Sequence, residues 1–166
     1  MVSILVNPLL FVAAERLLLR RLKTREIGIP GEQAVEAEIP ELPQTSLTGH
    51  AVLVGHGRVG SLVAQTLSEM GQPYLVIEER PTIAEQLREA GIEVIVGNAA
   101  QAAMLDAANV AGARFLISAI PNPYESGNLI ERAREANPAL DIIARAHSDS
   151  EVYYLSELGD NKIILG

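Results

Sequence analysis

The segment AVLVGHGRVG, residues 51–60, decides the fold class of this chain. Its four leading apolar residues predict a short buried strand, and Gly55, Gly57 and Gly60 follow with GxGxxG spacing. The residues after the loop are apolar at helical intervals, so the loop joins a strand to a helix. In this setting Gly55 permits a tight turn, Gly57 lets a pyrophosphate approach the backbone, and Gly60 allows the helix to pack closely on the strand.

A loop of this kind predicts a phosphate-binding site, because the helix N-terminus offers free N–H groups and a partial positive charge. Arg58 can bond a phosphate oxygen or lie on the surface, and the two roles are equally well supported. We assign no chemistry to the side chain of His56. The residues expected to surround the phosphates are those of the whole loop: Gly55, His56, Gly57, Arg58, Val59 and Gly60.

Glu78 stands where the ribose of a bound nucleotide is expected. It follows the second apolar run, 18 residues after Gly60, and precedes Glu79. A carboxylate at this point of the fold accepts hydrogen bonds from the ribose hydroxyls and repels a 2′-phosphate. We therefore predict that Glu78 and Glu79 lie at the ribose and that the ligand is NAD(H) or a plain adenosine nucleotide rather than NADP. The nearby Arg80 slightly weakens this preference.

Two further loops are predicted to complete the pocket, because ligands of open α/β sheets bind beyond the carboxyl ends of the strands. Asn98 and Ala99 follow the third apolar run. Asn98 can bond an adenine edge or cap the next helix, and capping is the expected role. Ile120 and Pro121 follow the fourth run, close to the second half of a bound dinucleotide.

The alternation of strand and helix continues along the chain. Its apolar runs, each of four or five residues, are AVLV (51–54), YLVI (74–77), IEVIV (92–96), RFLIS (114–118), DIIA (141–144) and KIIL (162–165). Nearly continuous apolar strands are typical of a parallel sheet that is covered on both faces. Helix signals occur between the runs, with glycines at the expected helix ends and prolines and capping pairs (Asn122 with Glu125, Ser148 with Glu151) at the expected starts. The prediction is an α/β fold, a Rossmann-like doubly wound six-stranded parallel sheet with helices on both faces, preceded by an N-terminal apolar helix and a linker.

Two segments precede the predicted sheet. Residues 1–25 are apolar and then basic, with five of the 13 basic residues of the chain and one acidic residue. The apolar part is shorter than the roughly 17–25 residues of a membrane span. Its composition is compatible with a signal peptide, with an amphipathic or core helix, and with the cytoplasmic end of a transmembrane helix whose beginning is missing. Residues 26–48 contain three prolines and five acids without a base, which predicts a linker before a domain of residues 49–166.

Composition excludes several classes of function. The chain has no cysteine, which excludes disulfides, thiolate metal sites and a cysteine nucleophile. A net charge of −8, no Trp and two Phe make a nucleic-acid partner unexpected. The sequence contains no metal-ligand spacing, nucleophile elbow or Walker lysine, and no convincing acid or base for a nicotinamide. We therefore expect no catalytic site, no metal site and no enzymatic activity.

Several motifs resemble one known family. They are HAVLVGHGRVGSLVAQTL (50–67), GNAA (97–100), IPN-x-YE (120–125) and IARAH (143–147), together with the N-terminal SILVNPLLF (3–11). The chain resembles the TrkA-N, or RCK N-terminal, domain of Kef-type monovalent cation:proton antiporters, and within them the YbaL branch. It departs from the family by having His56 where an aromatic residue is common.

The resemblance implies a function in a membrane protein. It implies a regulatory domain on the cytoplasmic side of the inner (plasma) membrane, which binds NAD(H) or an adenine nucleotide such as AMP or ATP and gates potassium or other cation transport. Residues 1–25 would be the C-terminal part of a transmembrane helix, and the chain the C-terminal part of a truncated antiporter without its pore. Its partners would be the antiporter transmembrane domain and a second copy, since the intact proteins pair as homodimers.

Two alternative functions stay open at this point. One is a fragment of an NAD-dependent oxidoreductase, which transfer of hydride to a substrate by the intact protein would favour. The other is a free-standing Trk-type regulatory subunit of a potassium transporter, which high salt would remove from membranes.

Overall fold

The computed structural model describes residues 42–159 and 162–166. The interpretation of residues 1–25 as the end of a transmembrane helix therefore lies outside the described residues, as does most of the predicted linker. Within the described part of the chain, no helix is both long enough and apolar enough to cross a membrane.

Six strands alternate with helices. The strands are β1 (Ala51–Val54), β2 (Tyr74–Glu78), β3 (Glu93–Val96), β4 (Phe115–Ser118), β5 (Asp141–Ala146) and β6 (Lys162–Leu165). The α-helices are α1 (Arg58–Glu69), α2 (Pro81–Glu89), α3 (Ala102–Ala107), α4 (Pro123–Ala136) and α5 (Asp149–Glu157). A short 3₁₀ helix, Val110–Gly112, precedes β4.

The strands form one parallel sheet in the order β3-β2-β1-β4-β5-β6. The strands β1 and β6 coincide with the predicted apolar runs, whereas β2 extends to Glu78 and β5 to Ala146. The predicted Rossmann-like α/β sheet is confirmed. The first strand, β1, lies in the middle of the sheet; β2 and β3 form one half, and β4, beside β1, begins the other half.

Each face of the sheet packs against its own set of helices. Successive strand residues point to opposite faces, so Val52 and Val54 belong to one core and Leu53 to the other. The core around Leu53 includes Ala64 of α1 and Leu87 of α2. The other core includes residues of α3, α4 and α5. Helices therefore cover both faces, which is why the central strands are mostly apolar.

The helix signals seen in the sequence correspond to helix ends in the structure. Pro81 and Pro123 each begin a helix, where their missing N–H group costs no hydrogen bond. The Oδ1 atom of Asn122 accepts hydrogen bonds from the N–H groups of Tyr124 and Glu125, and Ser148 Oγ accepts one from a backbone N–H of α5. Both predicted capping interactions are confirmed.

The last residues before β1 contact the sheet domain. The Thr45 N–H donates a hydrogen bond to the Ala107 carbonyl at 2.9 Å. Leu42 and Leu47 pack against the larger core. The chain therefore contacts the domain from residue 42 onward, within the stretch that the sequence analysis assigns to the linker.

Candidate functional site

An open cleft lies where the strand order reverses, beyond the carboxyl ends of β1 and β4. In a doubly wound sheet the chain leaves these neighbouring strands toward opposite faces, so their loops separate and leave a crevice. The cleft encloses about 400 Å³, within the range of small-molecule sites. Its lining residues come from the ends of four strands, β1 to β4, from the loops that follow them and from the first turn of α4: Val54, Gly55, Gly57, Ile77, Glu78, Glu79, Arg80, Gly97, Asn98, Ala99, Ala100, Ala119, Ile120, Pro121 and Glu125.

The glycine-rich loop makes the sharp turn at the floor of the cleft. Gly55 has a φ of +87°, which is strained for a residue with a side chain, and its N–H donates to the Ile77 carbonyl at 2.9 Å. Gly57 is the N-cap of α1, and a Cβ atom added there has no neighbour within 4 Å. No residue other than its two chain neighbours therefore crowds Gly57, and a ligand in the cleft can approach the first turn of α1.

Gly60 has a packing role. It is buried in the first turn of α1, and a Cβ atom on it would collide with the carbonyl oxygen of Gly55. The helix therefore crosses the strand-to-helix turn at a distance that only glycine permits. This contact determines the direction in which the N-terminus of α1 points.

Glu78, the last residue of β2, is the buried carboxylate of the cleft, with 4% of its surface exposed. Its Oε2 atom accepts a hydrogen bond from the backbone N–H of His56 at 2.7 Å. Its Oε1 atom accepts one from the backbone N–H of Arg80 at 3.0 Å. The Arg80 guanidinium adds Nε to Oε1 at 2.9 Å and Nη2 to Oε2 at 3.1 Å. The carboxylate therefore connects the end of β2 to the glycine-rich loop.

These contacts change the pKa of Glu78. Burial by itself raises the pKa, but the hydrogen bonds from the Arg80 side chain and from the backbone N–H groups of His56 and Arg80 outweigh it. The positive charge of Arg80 acts in the same direction, and the pKa of Glu78 is lowered to about 2. The carboxylate is therefore ionised at every physiological pH, and both of its oxygens act as hydrogen-bond acceptors.

The lowered pKa predicts a pH dependence of stability. Because the folded-state pKa of Glu78 lies below the unfolded value near 4.5, its contribution is fully present above that value and is lost as the pH falls toward 2. Since Arg80 is half exposed, we expect a contribution on the order of 1–2 kcal/mol rather than the full value of the shift. Urea unfolding of the Glu78→Gln variant should show a deficit of this size at about pH 7 that shrinks toward about pH 2. A deficit independent of pH would contradict the assignment.

Most of the predicted site residues line the cleft. Eight of them do so: Gly55, Gly57, Glu78, Glu79, Asn98, Ala99, Ile120 and Pro121. The structure does not bring His56, Arg58, Val59 and Gly60 to the cleft lining. His56 contributes through its backbone, Gly60 packs beneath the loop, and Arg58 is exposed at the start of α1.

The expectation that Asn98 caps the next helix is wrong. Its Oδ1 atom accepts a hydrogen bond from the Ala100 N–H at 2.8 Å, which forms a local turn. The N-cap position of α3 is occupied by Gln101, whose side chain makes no capping hydrogen bond. Two residues, Ala99 and Ala100, separate Asn98 from that position, so Asn98 shapes the cleft wall instead of the helix.

Several lining residues were not predicted. Arg80 and Glu125 are the charged ones, and the others are apolar residues or glycine at strand ends: Val54, Ile77, Gly97, Ala100 and Ala119. The sequence contained a signal for the apolar residues and the glycine, since each of them lies at or just after the end of an apolar run. Arg80 lies two residues after Glu78, and Glu125 lies three after the helix cap Asn122, whose Nδ2 donates to it at 3.2 Å. Among the residues that the structure describes, no group of three or more His, Cys, Asp or Glu side chains is placed to hold a metal ion.

Strand order, glycine-rich loop and cleft together define the Rossmann class of α/β domains. The TrkA-N domain model matches residues 51–166, and the chain belongs to the TrkA-N domain family. The chain is 41% identical over 164 residues to the "Putative cation/proton antiporter YbaL" of Escherichia coli (strain K12). That match includes 99% of this chain but 29% of the relative, so the chain spans less than a third of its length.

Solved structures similar to the described domain include the following two. The TrkA-N domain of the inner membrane protein ybaL from Escherichia coli is 43% identical, with a TM-score of 0.71 over 74% of this chain and 90% of that chain. The Kef CTD of Shewanella denitrificans in its AMP-bound form is 27% identical, with a TM-score of 0.62 over 70% of this chain and 71% of that chain.

Proposed function

We propose that this domain binds NAD(H) or an adenine nucleotide such as AMP or ATP in the cleft. In the proposed pose the phosphates lie at the glycine-rich loop, the adenosine ribose at Glu78, and the adenine beside Asn98 and Ala99. The observation that carries the proposal is the hydrogen bond from His56 N–H to Glu78. This hydrogen bond joins a loop of the phosphate-binding type to a buried ionised carboxylate in the same cleft.

The electrostatics of the cleft support this ligand class. The open backbone at Gly57 and the N-terminus of α1 favour a phosphate group. The carboxylate of Glu78, ionised at every physiological pH, suits a ribose diol and disfavours a 2′-phosphate, so NADP should bind more weakly than NAD. The AMP-bound Kef CTD, a similar solved structure, supports an adenine nucleotide.

The domain is proposed to regulate and not to catalyse. Beside the region expected for the second half of a dinucleotide, the cleft is lined by Ala119, Ile120 and Pro121, whose side chains transfer no proton. Glu125 accepts a hydrogen bond from Asn122 at the start of α4. This lining supports a sensor of nucleotide more than an oxidoreductase, which needs an acid or base beside the nicotinamide.

The regulated activity is proposed to be cation transport. The similarity to the cation/proton antiporter extends over nearly the whole chain, including residues outside the sheet domain. We propose that the domain lies on the cytoplasmic side of the inner membrane, is attached to an antiporter transmembrane domain, and forms a homodimer in the intact protein. Nucleotide binding then shifts the equilibrium between two conformations and so gates transport of potassium or another monovalent cation.

Calorimetric titration of the full 166-residue chain tests the proposal. NADH, NAD, AMP and ATP are the ligands, and NADP is the control that carries a 2′-phosphate. At least one of the four should bind at a stoichiometry of about one per chain and at least about tenfold more tightly than NADP, which is a difference of 1.4 kcal/mol. If none of the four binds, the cleft is not a nucleotide site.

A further inference from the structure

The side chain of Arg80 lies across the carboxylate that the proposed function assigns to the ribose. Its Nε and Nη2 atoms donate to the two oxygens of Glu78 at 2.9 and 3.1 Å, and Nη2 is also 3.3 Å from the His56 carbonyl oxygen. The guanidinium therefore spans the gap between the end of β2 and the glycine-rich loop.

The hydrogen-bonding capacity of Glu78 is already filled. An ionised carboxylate offers about four lone-pair positions. Two are occupied by the backbone N–H groups of His56 and Arg80, and two by the guanidinium of Arg80. A ribose diol that binds Glu78 must donate two hydroxyl groups to it, so two of the present donors have to leave.

Only the guanidinium can leave at low cost. The two backbone donors belong to the glycine-rich loop and to the N-cap residue of α2, so their removal would rearrange the fold. The Arg80 side chain is long, and 56% of it is exposed, whereas the side chain of Glu78 is 5% exposed. Water can solvate a guanidinium that swings outward, and the two backbone N–H groups then still hold the carboxylate in position.

We propose that Arg80 is a competitive latch on the ribose subsite. In the free protein its guanidinium occupies the face of Glu78 that a ribose diol needs, and it leaves this face when the diol binds. This inference rests on the proposed function. Arg80 is thus a specificity-determining residue. The net free energy that the diol contributes to binding is that of its own hydrogen bonds to Glu78 minus that of the hydrogen bonds which Arg80 gives up. A ligand that lacks one hydroxyl group leaves Arg80 partly bound to Glu78.

Titration of the Arg80→Met variant with AMP and with 2′-deoxy-AMP tests the latch. Methionine removes the donors while keeping an unbranched side chain, so the diol no longer competes for Glu78. We expect the preference for AMP over 2′-deoxy-AMP to rise about fivefold relative to the unmodified chain, the size of one partly exposed ion pair. The Arg80→Lys variant cannot form the two parallel hydrogen bonds of a guanidinium. Its preference for AMP over 2′-deoxy-AMP should therefore lie between those of Arg80→Met and the unmodified chain.

The matched control is Arg132→Met, which removes an exposed arginine of α4 outside the cleft lining. Its preference for AMP should equal that of the unmodified chain. As a second readout, the Nε–H resonance of Arg80 in the nuclear magnetic resonance spectrum should shift on addition of AMP and shift less with 2′-deoxy-AMP.

The outcomes separate the latch from the proposed function. If AMP binds to all variants and the preference is unchanged or smaller in Arg80→Met, the latch is wrong and the nucleotide site stands. Tighter binding of AMP to Arg80→Met than to the unmodified chain, together with a larger preference over 2′-deoxy-AMP, supports the latch. If AMP and 2′-deoxy-AMP bind to no variant, the latch fails, and the proposed function fails with it when NADH, NAD and ATP do not bind either.

Discussion

Replacing Glu78 by glutamine is expected to weaken the binding of NADH or AMP by about 10- to 100-fold. Hydrogen bonds to an ionised acceptor contribute roughly 1.5–3 kcal/mol, and the amide keeps the shape of the side chain but loses the charge. It also replaces one acceptor oxygen by an N–H₂ donor, which faces the donors of His56 and Arg80. Calorimetric titration of the variant with the ligand that binds the unmodified chain measures the effect.

The control for this substitution is Glu89→Gln at the end of α2. Glu89 is exposed and does not line the cleft, so this variant has the same change of net charge without the change at the ribose. Its affinity should match that of the unmodified chain. If Glu78→Gln is folded by circular dichroism and binds as tightly as Glu89→Gln, the ribose does not lie at Glu78.

Replacing Gly60 by alanine is expected to lower the free energy of unfolding by about 3 kcal/mol, at the upper end of the cost of overpacking. The added Cβ atom would collide with the carbonyl oxygen of Gly55, and backbone atoms cannot move aside as a flexible side chain can. Helix α1 must therefore shift away from β1, and the buried Ala64 and Leu67 lose contacts. Urea unfolding followed by circular dichroism measures the difference.

The matched control for this prediction lies in the same loop. A Cβ atom at Gly57 meets no neighbour within 4 Å, and the φ angle there is −83°, so Gly57→Ala should lower stability by no more than about 1 kcal/mol, the cost of alanine at an N-cap. Comparing the Gly60→Ala and Gly57→Ala variants separates the effect of packing on stability from the effect of loop flexibility. Equal stability of the Gly60→Ala and Gly57→Ala variants would show that the helix accommodates a methyl group at Gly60 without cost.

The architecture was predictable because its signals are local. A buried parallel strand favours an apolar run, and a cap or a proline favours a helix start, so many elements mark their own boundaries. Residues 51–54 and 162–165 therefore match their strands residue for residue. Asn98 shows where this reasoning stops. An asparagine before a helix suits both a cap and a turn, and the length of the loop, not the residue type, decides which forms.

The candidate site was predictable in part for the same reason. Gly55, Gly57 and Glu78 belong to a pattern whose spacing reflects the geometry of one strand–helix–strand unit, and all three line the cleft. Glu125 lies outside that pattern. It reaches the cleft because β4 pairs with β1, a contact between segments about 60 residues apart along the chain.

By itself the sequence determined the order of strands and helices, the tight turn at Gly55 and the position of an acid at the end of β2, because each depends on residues close together in the chain. Only the tertiary structure decided what Glu78 contacts. Its hydrogen bonds to the His56 backbone and to the Arg80 guanidinium depend on how β2 and the glycine-rich loop meet in space. Such contacts form where donors and acceptors are brought within about 3 Å, a distance that spacing along the chain does not specify.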